Sequence, residues 1–143
     1  MSPSTSTPER HGHCLCGAVH LFASIERPTV AACHCTRCRR WGGGPSLGVE
    51  THQAPRIEGE QHVRVYDSSE WAERAFCDQC GSHLFYRLKD GTLYSLWAGL
   101  FDDSGDWPFE LQIFMDEKPA NYGFANRTRE MTGAEVFAQY PPS

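Results

Sequence analysis

CHCTRC, residues 33–38, puts three cysteines into six positions. Side chains on an extended chain alternate between faces, so Cys33 and Cys35 share one face and His34 points to the other. Cys38, three residues past Cys35, can curl back to the same point. Two more cysteine groups flank this stretch, CLCG (14–17) and CDQCG (77–81), and the three groups hold all seven cysteines of the 143-residue chain. Four thiolates complete one tetrahedral zinc, which leaves three over.

The spacing sorts the seven. Cys14 and Cys16 present both sulfurs on one face. Cys77 and Cys80 form a C-x-x-C knuckle that brings two sulfurs to one metal. Each pair is followed by glycine, Gly17 and Gly81, which leaves room for a backbone N–H to approach a sulfur. The pairs are distant in the chain, so a shared zinc would staple a small core. Cys33, Cys35 and Cys38 then carry the ligand count of a catalytic zinc with one open position. A closed second site is the alternative, with His52, His62 or His83 as fourth ligand. A different grouping is also open: Cys35 and Cys38 with Cys77 and Cys80 spell a zinc ribbon and leave Cys14, Cys16 and Cys33 unassigned. The matched Cys-Gly endings favour the first grouping. A thioredoxin-like motif is disfavoured, because no βαβ pattern surrounds CDQC.

Composition sets the class. Hydrophobic residues make up 40% and charged residues 22%, the balance of a globular protein with one core. No apolar run approaches the roughly 20 residues of a membrane span. MSPSTSTPER (1–10) lacks the apolar centre of a signal peptide. It reads as a flexible leader, followed by one domain over residues 11–143 in the cytoplasm, where clustered cysteines stay reduced and hold metal. The formal net charge is −5, and two zinc ions on seven thiolates would take it to about −8. That field opposes a nucleic-acid partner, although Arg37, Arg39 and Arg40 cluster locally.

The pattern predicts a mostly β fold. AVHLFAS (18–24), TVAACH (29–34), PSLGVE (45–50), HVRVYDS (62–68) and FELQIFM (109–115) read as strands. WAERAFC (71–77) alternates apolar and charged residues, as a half-exposed strand does. HLFYRL and TLYSLWAGL flank a tight turn at KDG (89–91). Short helices are expected over residues 36–41 and 133–139. Thirteen glycines and nine prolines fit many short strands in a small sandwich or barrel. Trp97 and Trp107 read as packing residues.

CLCGAV, CHCTRCRRWGG and FCDQCGSHLF, in this order, resemble the glutathione-dependent formaldehyde-activating enzyme family, the GFA/CENP-V domain. IFMDEKPANY (113–122) resembles that family's carboxy-terminal signature, with Lys118 and Pro119 in place. The resemblance implies an Mss4-like fold of small antiparallel sheets with zinc on turns and strand ends. It implies a structural zinc at Cys14, Cys16, Cys77 and Cys80. It also implies a labile second zinc at Cys33, Cys35 and Cys38, the triad associated with catalysis and carbon–sulfur lyase activity.

Three thiolates make zinc electron-rich, a poor activator of water but a good holder of a fourth thiolate. A small thiol such as glutathione fits that position, and its attack on formaldehyde would give an S-hydroxymethyl adduct. Arg39 and Arg40 are candidates to pair with its carboxylates, and Trp41 to wall the site. The competing classes are a non-catalytic zinc module that binds a protein, and a metal buffer or thiol redox sensor.

Overall fold

Residues 7–139 are described in a computed structural model of the chain. Their elements, in order, are β1 (Glu9–His13), β2 (His20–Ser24), β3 (Val30–Cys33), α1 (Thr36–Gly42), β4 (Ser46–Thr51), β5 (Arg56–Glu58), β6 (Val63–Asp67), β7 (Ala72–Cys77), β8 (His83–Leu88), β9 (Tyr94–Trp97), β10 (Phe109–Ile113), β11 (Arg129–Met131) and α2 (Gly133–Gln139). The expected strands and both short helices are present. The leader expected over residues 1–10 overlaps β1 at Glu9 and Arg10; residues 1–6 lie outside the described residues.

Strand alternation builds two sheets. A small antiparallel sheet runs β1-β2-β5, and an eight-stranded sheet runs β11-β10-β3-β4-β9-β8-β7-β6. Leu21 and Ala23 of β2 join Val49, Ala75, Phe85 and Leu96 of the large sheet in one buried cluster. Each fully buried Leu, Val or Phe contributes about 1.5–3 kcal/mol. Cys14 and Cys77, both 0% exposed, belong to that cluster. The alternate residues of the large sheet face elsewhere. Glu50, Ser95, Trp97, Tyr86, Arg74 and Cys33 line a cavity of about 620 Å³. One sheet thus carries an apolar core on one face and, on the other, a cavity whose mostly apolar walls hold a few polar groups.

The antiparallel expectation needs one correction. β10 runs parallel to both β3 and β11, with Ile113 opposite Cys33 and Met131. Parallel neighbours meet through long connections and leave no local sequence mark. The KDG turn also opens into a longer loop, in which Leu88 N–H donates to Leu93 O and Asp90 accepts from Thr92.

Where β10 ends, Phe114 takes a left-handed backbone, φ 58° and ψ 44°, a conformation bulky residues rarely adopt. The turn lays its ring against α2, edge-on to Phe137 with centroids 5.7 Å apart. The ring also fills the space beside Gly133, where a Cβ would stand 2.8 Å from Phe114 Cδ1 and Cε1.

Candidate metal centres and the cavity between β3 and β8

The four-cysteine group is drawn together from two turns. The Sγ atoms of Cys14, Cys16, Cys77 and Cys80 all lie within 4.8 Å of one another. Cys14 to Cys16 is 3.7 Å and Cys16 to Cys77 is 3.8 Å. Zinc–sulfur bonds of about 2.3 Å give a tetrahedron with edges of roughly that length, so the donor set fits zinc. Backbone N–H groups point at the sulfurs: Val19 donates to Cys14 at 3.3 Å and Gln79 to Cys77 at 3.4 Å. Ser82 ties the two turns, its hydroxyl accepting from Leu15 N–H and meeting Cys80 Sγ at 3.2 Å. Burial opposes ionisation of Cys80, but the Ser82 hydroxyl and backbone bonds outweigh it and bring the thiol down to about 5.

The two glycines let a backbone N–H reach a sulfur, but it is the N–H of the following residue. Gly17 and Gly81 N–H donate to the carbonyls of Cys14 and Cys77, not to sulfur. Both have positive φ, 81° and 79°, which glycine adopts without strain. That turn aims the next N–H, of Ala18 and of Ser82, at Cys16 and Cys80.

The second group sits where β3 runs into α1. Cys33, Cys35 and Cys38 bring three sulfurs within 4.8 Å, and no fourth protein ligand joins them among the described residues. His52 instead bonds Thr92 O, His62 pairs with Asp78, and His83 stacks on Trp41 at 4.5 Å. Cys35 caps α1, accepting Cys38 N–H at 3.3 Å. His34 turns away from the sulfurs, as the strand period requires, and is fully buried. Its Nε2 meets Gln112 Oε1 and its Nδ1 meets the Tyr122 hydroxyl, each at 2.8 Å. The amide oxygen can only accept, so Nε2 donates and Nδ1 takes the Tyr122 proton. Glu117 Oε1 accepts from both Thr36 N–H (2.9 Å) and Thr36 Oγ1 (3.0 Å). Two residues of IFMDEKPANY, Glu117 and Tyr122, thus hold the triad loop from behind.

The partner that the sequence reading missed is Arg74. It is 4% exposed, and both its terminal nitrogens lie 3.7 Å from Cys38 Sγ. Its guanidinium sits 5.2 Å over the Tyr86 ring. Hydrogen bonds from Cys33 and Cys35, and then Arg74, hold the Cys38 thiol far below its ordinary value against the cost of burial. Cys33, which gives such bonds, is pushed up. Burial also keeps the Tyr86 phenol protonated and raises the Glu50 carboxyl, although that side chain still meets solvent.

The arginines beside the triad divide between two spaces. Arg37 lines the triad cavity with Trp71 and Trp97, so Trp97 is a cavity wall and not only a packing residue. Arg39 and Arg40 line a neighbouring cavity of about 470 Å³ with Gly43, Gly44 and Tyr122. Thr36 borders both. Arg39 is also tied to His34 O at 3.0 Å. Trp41 packs on His83, Tyr66 and Phe76 and does not wall the triad cavity.

Comparison with known proteins agrees with this arrangement. The sequence profile of a family described as glutathione-dependent formaldehyde-activating enzyme matches residues 9–117. A Schizosaccharomyces pombe protein named as an uncharacterized lyase is 40% identical over 130 residues, which is 90% of this chain and 95% of that one. A crystal structure of a Rhodobacter sphaeroides protein superposes with a TM-score of 0.57 at 22% identity, over 69% of this chain and 98% of the other. That likeness supports the fold.

Proposed function

Because this chain belongs to the glutathione-dependent formaldehyde-activating enzyme family, we propose that it is a zinc-dependent carbon–sulfur lyase. Its reaction forms or breaks the S-hydroxymethyl adduct of glutathione or a similar small thiol. In the forming direction a thiolate sulfur bonds to the formaldehyde carbon, the carbonyl π pair goes to oxygen, and that oxygen takes a proton. The reverse breaks the carbon–sulfur bond. The observation that carries the reading is three converging sulfurs with a fourth side left to a cavity of about 620 Å³. The relative's description as a lyase points the same way.

Zinc at the triad would supply a coordination position that keeps the incoming thiol deprotonated near neutral pH. The chain's own residues do the rest. Cys33, Cys35 and Cys38 hold that position at the cavity wall. Arg74 offsets the charge gathered on Cys38, so the site accepts one more anionic sulfur. The protonated Tyr86 hydroxyl, which lines the same cavity, would donate to the oxygen of the adduct. Arg37 offers a guanidinium to a carboxylate of the thiol, and Arg39 and Arg40 offer two more across Thr36. Trp71 and Trp97 wall the same space. Cys14, Cys16, Cys77 and Cys80 would hold a structural zinc. The free thiols suit a reducing compartment such as the cytoplasm. No helix among the described residues is long and apolar enough to cross a membrane.

Titration of glutathione into cobalt-substituted protein tests this. A new sulfur-to-cobalt charge-transfer band, absent in Cys35→Ser, is the expected result. An unchanged spectrum at saturating glutathione rejects the proposal and favours a non-catalytic zinc module.

A further inference from the structure

Three histidines stand together on the small sheet, next to the turn that carries Cys14 and Cys16 but outside both thiolate groups. His11 and His13 are two apart on β1, so they share a face, and His20 is the direct partner of His13 on β2. The opposite face of β2 carries Leu21 and Ala23 into the core, which leaves the histidines on the outer side. His11 Nε2 and His20 Nδ1 are 2.7 Å apart. Their rings are near-parallel, with centroids at 5.0 Å and an 11° tilt, and the His13 ring lies 5.4 Å from that of His20.

The His11 and His13 rings have further partners. His11 stacks on Phe22 at 4.6 Å, and the Arg56 guanidinium lies 4.0 Å over the same Phe22 ring. Arg56 is itself paired with Glu9 and Glu58, so its charge is offset. His13 Nδ1 lies 2.8 Å from Cys14 O. A carbonyl only accepts, so the His13 proton sits on Nδ1 and its Nε2 keeps a free lone pair. This is how imidazole ligands of metals are usually oriented, by a bond from the other ring nitrogen.

We propose that His11, His20 and His13 form a third, surface metal site, for a borderline divalent transition ion such as zinc, nickel or copper(II). Imidazole nitrogen is the preferred donor for such ions. Between His11 and His20 the ion takes the place of a shared proton. That proton moves to the other nitrogen of its own ring, so each imidazole stays neutral and offers a lone pair. Metal–nitrogen bonds of about 2.1 Å spread two ligands to roughly 3.4 Å, so the pair opens by less than about 1 Å. The three rings do not converge as the cysteine sulfurs do, so the His11 and His20 pair carries the site, His13 rotates inward as a weaker third ligand, and water completes the shell. The ion spans β1 and β2, and it stabilises the small sheet by binding the folded form alone.

The test keeps the cysteine sites full. Nickel(II) is titrated into ¹⁵N-labelled protein that carries two equivalents of zinc, enough for the cysteine groups alone. We expect saturable paramagnetic broadening centred on the amides of His11, Gly12, His20 and Leu21, complete near one equivalent. His20→Ala and His11→Gln should weaken it at least 10-fold and His13→Gln by a few-fold. His52→Gln, a histidine elsewhere on the surface, should leave it unchanged. Broadening centred elsewhere, or unchanged affinity in His20→Ala, overturns the site. The outcome does not depend on the thiol reaction, because neither nickel binding nor its readout involves a substrate.

Discussion

Arg74 sets two nitrogens against a single sulfur, each 3.7 Å from Cys38 Sγ, in a place that water hardly reaches. A buried guanidinium without a counter-charge is costly, and so is a buried thiolate. Each therefore makes the other tolerable. Arg74→Met should remove the offset and leave the shape largely filled. We expect thiol binding at the triad to weaken about 10-fold or more, with the bound thiol ionising at higher pH. Arg74→Lys, which keeps the charge, should recover part of the affinity. Cobalt spectra recorded against pH distinguish a lost charge from lost packing.

Cys77→Ser and Cys38→Ser should separate the two groups. Cys77 lies in the apolar core, where metal binding is also folding energy. Its loss should cost solubility or lower the melting temperature sharply. Cys38 faces the cavity, and its loss should abolish thiol binding and lower the melting temperature less than loss of Cys77 does, because Arg74 loses its counter-charge but the metal in the core stays. Equal damage in thermal melts would favour the zinc-ribbon grouping.

A mild chelator should take the triad metal first. One ligand fewer and an open cavity both favour release there. Metal counts should fall from two to one with circular dichroism unchanged. Simultaneous loss of both metals with unfolding would contradict the division.

Tyr122→Phe leaves the buried His34 Nδ1 without its donor and should cost about 1–3 kcal/mol. Glu117→Ala removes the acceptor of Thr36 N–H and should cost about 1 kcal/mol, as loss of a helix cap does. Both variants should also speed release of the triad metal, because both contacts hold its loop. Urea melts and chelation rates measure the two effects.

His83 supplies a pH dependence. Burial, and then Arg74, hold its pKa below the ordinary 6.5. Below pH 6.5 the unfolded chain takes up a proton that the folded ring refuses. This contribution is therefore complete above pH 6.5 and is lost as pH falls through the folded value. Urea melts at pH 7.5 and 5.5, with zinc content checked, should show a smaller difference in His83→Gln than in the parent.

Much of this was legible in the chain. Strands with an apolar face, such as β4 and β9, show their period directly. β1 hides because its core-side position is Gly12, and its remaining residues, Glu9, Arg10, His11 and His13, are polar. β5 and β11 have three residues each, too few for a period. Arg74 was misplaced for a physical reason. WAERAFC reads as a strand with one wet face, but that face of β7 looks into a walled cavity, so its charged residue is buried beside a sulfur. The local grouping of the cysteines was readable from spacing. Which arginine meets them was not, because Arg74 stands on β7, with three strands, β4, β9 and β8, between it and the β3 end that leads to Cys38.

Phe114 and Gly133 constrain each other's history. A methyl group at position 133 has no room while a phenyl ring fills the space, yet a smaller residue at 114 would empty the wall that closes the cavity against α2. Neither position can drift alone without loss. A lineage that exchanges them has to shrink the ring first and pass through a looser intermediate before the glycine can change. The order of the two substitutions, and not only their identity, sets how much stability the intermediate keeps.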